Sequence, residues 1–66
     1  MTEYEREKAR LIAQGFEVDA YEGMDRETRE EHLVLSYWDS HTLIEMIFDL
    51  DGYYLYNHEV NDWDFV

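Results

Sequence analysis

The sequence predicts an α+β fold: one N-terminal helix packed on a four-stranded antiparallel β-meander. Three features carry that reading. Residues 2–14 combine a helix-capping pattern with charge pairs at helical spacing. Four later stretches are rich in strand-forming residues, several with period-two alternation. Two hairpin turns, read independently, place the same apolar set on one face of a sheet. The 66 residues are expected to form a single domain, 1–66, with a helix at 2–14, strands near 16–22, 32–38, 42–50 and 53–58, and a tail at 59–66.

The helix starts at "TEYE", where Thr2 and Glu5 match a capping box. In that motif each side chain satisfies an amide left without a partner in the first turn. Glu3–Arg6, Glu5–Lys8 and Glu7–Arg10 stand three apart, pairs worth about 0.2–0.5 kcal/mol each. Tyr4, Leu11 and Ile12 mark an apolar stripe, with Ala9 beside it. Gly15 stands where a left-handed C-terminal cap belongs.

In "FEVDAYE" (16–22), Phe16, Val18 and Ala20 face one way and Glu17, Asp19 and Tyr21 the other. Gly23 ends this strand. "MDRETREE" (24–31) is polar and mixed in charge, a long loop or a single helical turn capped by Asp25. "HLVLSYW" (32–38) is the second strand, and Asp39-Ser40 its turn. "HTLIEMIFDL" could be helical, because Thr42 and Glu45 form a second possible capping box. The hairpin registers favour a strand. A two-residue turn at Asp51-Gly52 pairs Leu50 with Tyr53, Phe48 with Leu55 and Met46 with Asn57. A two-residue turn at Asp39-Ser40 pairs Tyr37 with Thr42, Leu35 with Ile44 and Leu33 with Met46. Both put Leu33, Leu35, Tyr37, Ile44, Met46, Phe48, Leu50, Tyr53 and Leu55 on one face, which the helix is expected to cover.

Charge is the strongest compositional feature. Seventeen acids against five bases give −12. The bases, Arg6, Lys8, Arg10, Arg26 and Arg29, all precede Glu30; from there on the chain has nine acids and no base, hence −9 of the −12. This disfavours nucleic acid and anionic membrane as direct partners and favours a basic protein surface. An aromatic content of 17% argues against disorder. The absence of cysteine removes disulfides and thiolate metal sites and suits a reducing cytoplasm. No apolar run approaches the ~18 residues of a membrane span, and no basic segment leads into an apolar one as in a signal peptide.

The same registers give the sheet a second face: Val34, Ser36, Trp38, Leu43, Glu45, Ile47, Asp49, Tyr54 and Tyr56. It mixes aliphatics, aromatics and acids without a base, and one helix cannot cover both faces. Such a patch points to an interaction surface; pairing of two copies, or a tail folded across it, are the alternatives. Glu17/Asp19, Asp49/Asp51 and Asp62/Asp64 have i,i+2 spacing, about 6.6–6.8 Å on a strand. Rows of carboxylates can stand in for the phosphates that basic proteins grip, and Trp and Tyr are favoured anchors. The expected partner-binding set is Trp38, Asp39, Glu45, Ile47, Asp49, Asp51, Tyr54, Tyr56, Asp62, Trp63 and Asp64, directed at a basic nucleic-acid-binding protein. A small homodimeric or adaptor-like module is the alternative. In either case Trp63 and Phe65 need burial in core or interface.

In size, charge, and the stretches "EMIFDLDGYYLY" and "NDWDFV", the chain resembles a class of small acidic phage-encoded inhibitors: uracil-DNA glycosylase inhibitors, anti-CRISPR proteins and anti-restriction DNA mimics. The resemblance implies host-defence evasion by blocking a DNA-repair, CRISPR or restriction enzyme, in the host cell's cytoplasm if the source is viral. It carries no motif, so no functional residue is transferred.

Catalytic and metal readings find little support. His32, His41 and His58 lie at strand ends, without the i,i+4 spacing of a helical zinc site. "DLDG" resembles the start of a calcium loop, but its glycine comes two places early and Tyr53 stands where an oxygen ligand belongs. Ser36 or Ser40 with a histidine has nothing to orient it. The expectation is a protein without catalytic residues, metal or cofactor.

Overall fold

The computed structural model describes residues 1–25 and 28–61. Helix α1 (Glu3–Ala13) precedes strands β1 (Asp19–Met24), β2 (Glu31–Asp39), β3 (Thr42–Phe48) and β4 (Tyr54–Asn61). The strands form one antiparallel sheet in the order β1-β2-β3-β4. The fold is therefore the expected helix on a four-stranded meander. Strand limits differ from expectation by a few residues: the first strand starts at Asp19 rather than Phe16, the third stops at Phe48 rather than Leu50, and the fourth runs to Asn61.

Local chemistry sets both ends of α1. The amide of Glu5 donates to Thr2 Oγ1 at 3.1 Å. At the far end Gly15 adopts φ +94. Its amide donates to Ile12 O, and that of Phe16 donates to Leu11 O; this is a Schellman cap, whose left-handed residue is usually glycine. Of the three expected ion pairs, Glu7–Arg10 is closed at 2.6 Å. Glu3 instead accepts the Tyr54 amide at 2.7 Å, which ties the helix start to β4. Ile12, expected on the buried stripe, points outward, and Leu11 alone in α1 is fully buried.

The core lies between α1 and the sheet. Leu11, Leu35, Met46 and Phe48 are buried there, with Tyr4, Phe16, Val18, Leu33, Tyr37 and Ile44 packed around them. The ring of Phe48 receives two near-perpendicular neighbours, Tyr4 at 5.4 Å and Tyr54 at 5.8 Å. Such pairs add about 0.5–1.5 kcal/mol each beyond the area they bury.

The hairpins correct both expected turns. In the first, Asp39 pairs with Thr42, so Ser40 and His41 form the loop, and Ser40 takes φ +58. Tyr37 therefore pairs with Ile44, Leu35 with Met46 and Leu33 with Phe48. This is two residues from the expected register, and an even shift leaves every side chain on its expected face. In the second, Asp49 and Tyr53 close a three-residue loop: the Asp49 amide donates to Tyr53 O, and Asp49 Oδ1 accepts from the amides of Asp51 and Tyr53. Gly52 has positive φ while Asp51 does not. A two-residue type I′ turn needs positive φ at both positions, whereas a three-residue loop needs it only at the last and adds a bulge.

That bulge moves side chains between faces. Met46 pairs with Asn57 as expected, but Phe48 pairs with Tyr54 rather than Leu55. Tyr54 thereby joins the helix side, against Phe48. Leu55, the extra residue, lies beside Ile47, Asp49 and Tyr56 on the other side. Leu50, Tyr53 and Leu55, all expected in the core, are more than half exposed.

Candidate functional site: the sheet face away from the helix

With α1 on one side, β-pairing fixes what the other side presents. One cross-strand row is Tyr21, Val34, Ile47 and Tyr56, and the next is Asp19, Ser36, Glu45 and His58. Trp38, Leu43 and Val60 follow beyond. No Lys or Arg falls in these rows. Described bases lie elsewhere: Arg6, Lys8 and Arg10 on α1, and Arg29 in the β1–β2 loop.

The face is neither bare core nor ordinary solvent surface. Val34 and Ile47 in the central strands are 2% and 6% exposed, while Tyr56 at one end of their row is 50% exposed. Trp38 is 48% exposed. Small buried residues thus form a floor, and half-exposed aromatics rise around it.

Glu45 is the charged centre of the face. Its Oε2 accepts a hydrogen bond from the Tyr21 hydroxyl at 2.9 Å. Burial is the main cause that pushes the Tyr21 phenol up to about 12, reinforced by the bond to Glu45 and by the negative charges of Glu45 and Asp19. The phenol therefore stays protonated near neutrality and holds the carboxylate in place without neutralising it.

The expected partner-binding residues separate. Trp38, Glu45, Ile47 and Tyr56 share this face, although Ile47 is its floor rather than an exposed contact. Asp39 alternates to the helix side at the end of β2, and is exposed. Asp49 is engaged in the turn through Oδ1. Asp51 is exposed at the tip of that turn, so the regular strand spacing expected for Asp49/Asp51 does not hold. Tyr54 is on the helix side. Asp62, Trp63, Asp64 and Phe65 lie outside the described residues. Sequence reasoning omitted Tyr21, His58 and Val60, and placed Asp19 only in an i,i+2 carboxylate pair with Glu17. The alternation of "FEVDAYE" sets Asp19 and Tyr21 together, and the pairing of β1 with β2 and of β2 with β3 joins them to Trp38 and Glu45.

Other chemistry is sparse. Among the described residues no group of three or more His, Cys, Asp or Glu side chains is placed to hold a metal ion. Nor is any described helix long and apolar enough to cross a membrane. A groove of about 440 Å³ between α1 and β4 is lined by Glu3, Arg6, Glu7, Arg10, Met46 and Tyr54, a balanced mixture of charges on the opposite side from the base-free rows.

Comparison with known proteins finds no matching family model, no matching curated protein and no matching solved structure.

Proposed function

We propose that this protein is an acidic inhibitor that imitates nucleic acid and occupies the basic groove of a DNA- or RNA-binding protein. One observation carries the reading: a sheet face with half-exposed Trp38, Tyr21 and Tyr56 around Glu45 and Asp19, and no Lys or Arg in its rows. Twelve net negative charges on a slab of 33 × 32 × 15 Å make a strongly anionic surface, of the sign that phosphate-gripping basic proteins attract. The slab is only 15 Å thick along its shortest axis, so it can enter a cleft. Its charges speed encounter and set salt dependence, and its aromatics supply short-range affinity.

Self-pairing is the second reading, favoured by the outer edge of β4. Among the described residues that edge has no strand partner, and Tyr54–Asn61 holds one acid, Glu59. Two copies at −12 each repel, so pairing would strengthen with added salt, whereas binding to a basic partner would weaken. The test is retention of nucleic-acid-binding proteins on the immobilised protein at low salt, followed by elution with duplex DNA. The expected outcome is their retention and displacement by DNA. Retention of none, with sedimentation showing a salt-stabilised dimer, would overturn the inhibitor reading.

A further inference from the structure

β1 begins at Asp19, opposite Ser36, so Tyr37 and Trp38 of β2 have no β1 residue beside them. The chain leaving α1 through Gly15 and Phe16 crosses this gap and leaves a cleft of about 300 Å³. Phe16, Tyr37 and Trp38 line it together with the acidic residues Glu17 and Asp19, at the sheet edge where Tyr37 of the helix side and Trp38 of the opposite face are neighbours in β2. The buried residue Ser36 also lines it. The rings of Phe16 and Tyr37 meet at 4.9 Å and 55°, which fixes one corner, while Trp38 remains half exposed.

This composition selects a cation. Carboxylates alone attract any counterion, but aromatic faces add an attraction for a guanidinium or ammonium group and exclude water from its stem. We propose that the cleft of Phe16, Glu17, Asp19, Ser36, Tyr37 and Trp38 receives one arginine or lysine side chain of a basic protein partner. The inference rests on the reading of a basic partner and names its point of contact. It also gives the i,i+2 pair Glu17/Asp19 a role beside an aromatic enclosure, rather than in a row of phosphate substitutes.

The cleft is tested on the whole chain by titrating N-acetyl-argininamide and its neutral analogue N-acetyl-citrullinamide, read by amide and indole nitrogen–proton NMR. Saturable shifts centred on Gly15, Glu17, Asp19 and the Trp38 indole are expected with the arginine compound, with the citrulline compound at least about tenfold weaker. Equal responses, or shifts spread over all acidic residues without saturation, overturn the proposal. Glu17→Gln/Asp19→Asn and, separately, Trp38→Ala should each weaken arginine binding severalfold or more while the spectrum stays folded. A basic partner that binds these variants as tightly as the parent sinks the cleft but leaves the inhibitor reading standing. Saturable arginine binding with no nucleic-acid-binding protein retained supports the cleft and defeats that reading.

Discussion

The backbone amide of Tyr4, in the first turn of α1, donates to the carbonyl of Gly52 at 3.0 Å. This bond docks the β3–β4 turn on the helix start. Gly52 is buried at φ +91, and a Cβ built on it would lie 2.7 Å from Thr2 Cβ. Gly52→Ala therefore meets both left-handed strain and a close contact. Gly15, at φ +94, has nothing within 4 Å of such a Cβ, so Gly15→Ala meets strain alone. Strain of this kind costs roughly 1–2 kcal/mol, and each kcal/mol lowers Tm by about 4–8 °C in a chain of this size. Thermal melts should place Gly52→Ala clearly below Gly15→Ala. Equal losses would mean that Thr2 yields freely and the docking is loose.

Ser40 supplies the opposite test. It holds φ +58 at the first position of the β2–β3 loop, a conformation glycine adopts without penalty. Ser40→Gly should raise stability by about 0.5–1 kcal/mol, the strain relieved less the greater freedom glycine gives the unfolded chain. Urea unfolding measures the difference, and a loss of stability would show that the Ser40 side chain contributes more than its backbone strain removes.

These two loops mark where the sequence was legible and where it was not. Helix ends are local, and "TEYE" and Gly15 announced both. Facing in β2 and β3 depends only on parity, so Leu33, Leu35 and Tyr37 met Ile44, Met46 and Phe48 even though the turn was misplaced by one position. Asp51-Gly52 was ambiguous because glycine serves equally as the second residue of a two-residue turn or the last of a three-residue loop. Contacts to Thr2 and Tyr4, fifty residues away in the chain and outside any local pattern, accompany the second choice. The resulting bulge carried Tyr54 to the helix side and removed it from the candidate face.

Tyr21 and Glu45 give stability a dependence on alkaline pH. The Tyr21 phenol is raised from 10.0 to about 12, first by burial and then by its bond to Glu45. A raised pKa means that the protonated form is favoured by folding. The contribution is therefore complete below about pH 10 and is lost as pH climbs through about 12. Tyrosinate absorbance should contain a late-titrating fraction that shrinks in Tyr21→Phe, what remains including Tyr37, whose phenol burial also raises. Glu45→Gln should bring the Tyr21 phenol earlier without restoring the ordinary value, because burial remains. A late-titrating fraction left undiminished by Tyr21→Phe would assign the shift to Tyr37 or another tyrosine.

Charge crowding should make the fold salt-sensitive in a definite direction. With −12 on 66 residues and one closed ion pair among the described residues, screening relieves more repulsion than attraction. Tm should rise between about 10 and about 300 mM NaCl, as the screening length falls from about 30 Å toward several Å. A falling Tm would mean that close attractive pairs outweigh the repulsion.

The candidate face makes a final, opposed pair of expectations. Ile47 is 6% exposed between Val34 and Tyr56 of its row, so its side chain supports the sheet rather than meeting a partner. Ile47→Ala should cost about 2–5 kcal/mol by lost burial and a cavity. Tyr56, half exposed at the end of the same row, can be truncated with much less loss of stability. Binding should show the reverse order: Tyr56→Ala weakens retention of a basic partner at unchanged fold, and Ile47→Ala acts only as far as it unfolds the chain. Denaturant midpoints and retention at fixed low salt, measured on both variants, separate the roles. If Ile47→Ala leaves stability intact but abolishes binding, Ile47 is a contact after all and the division of the face into floor and rim is wrong.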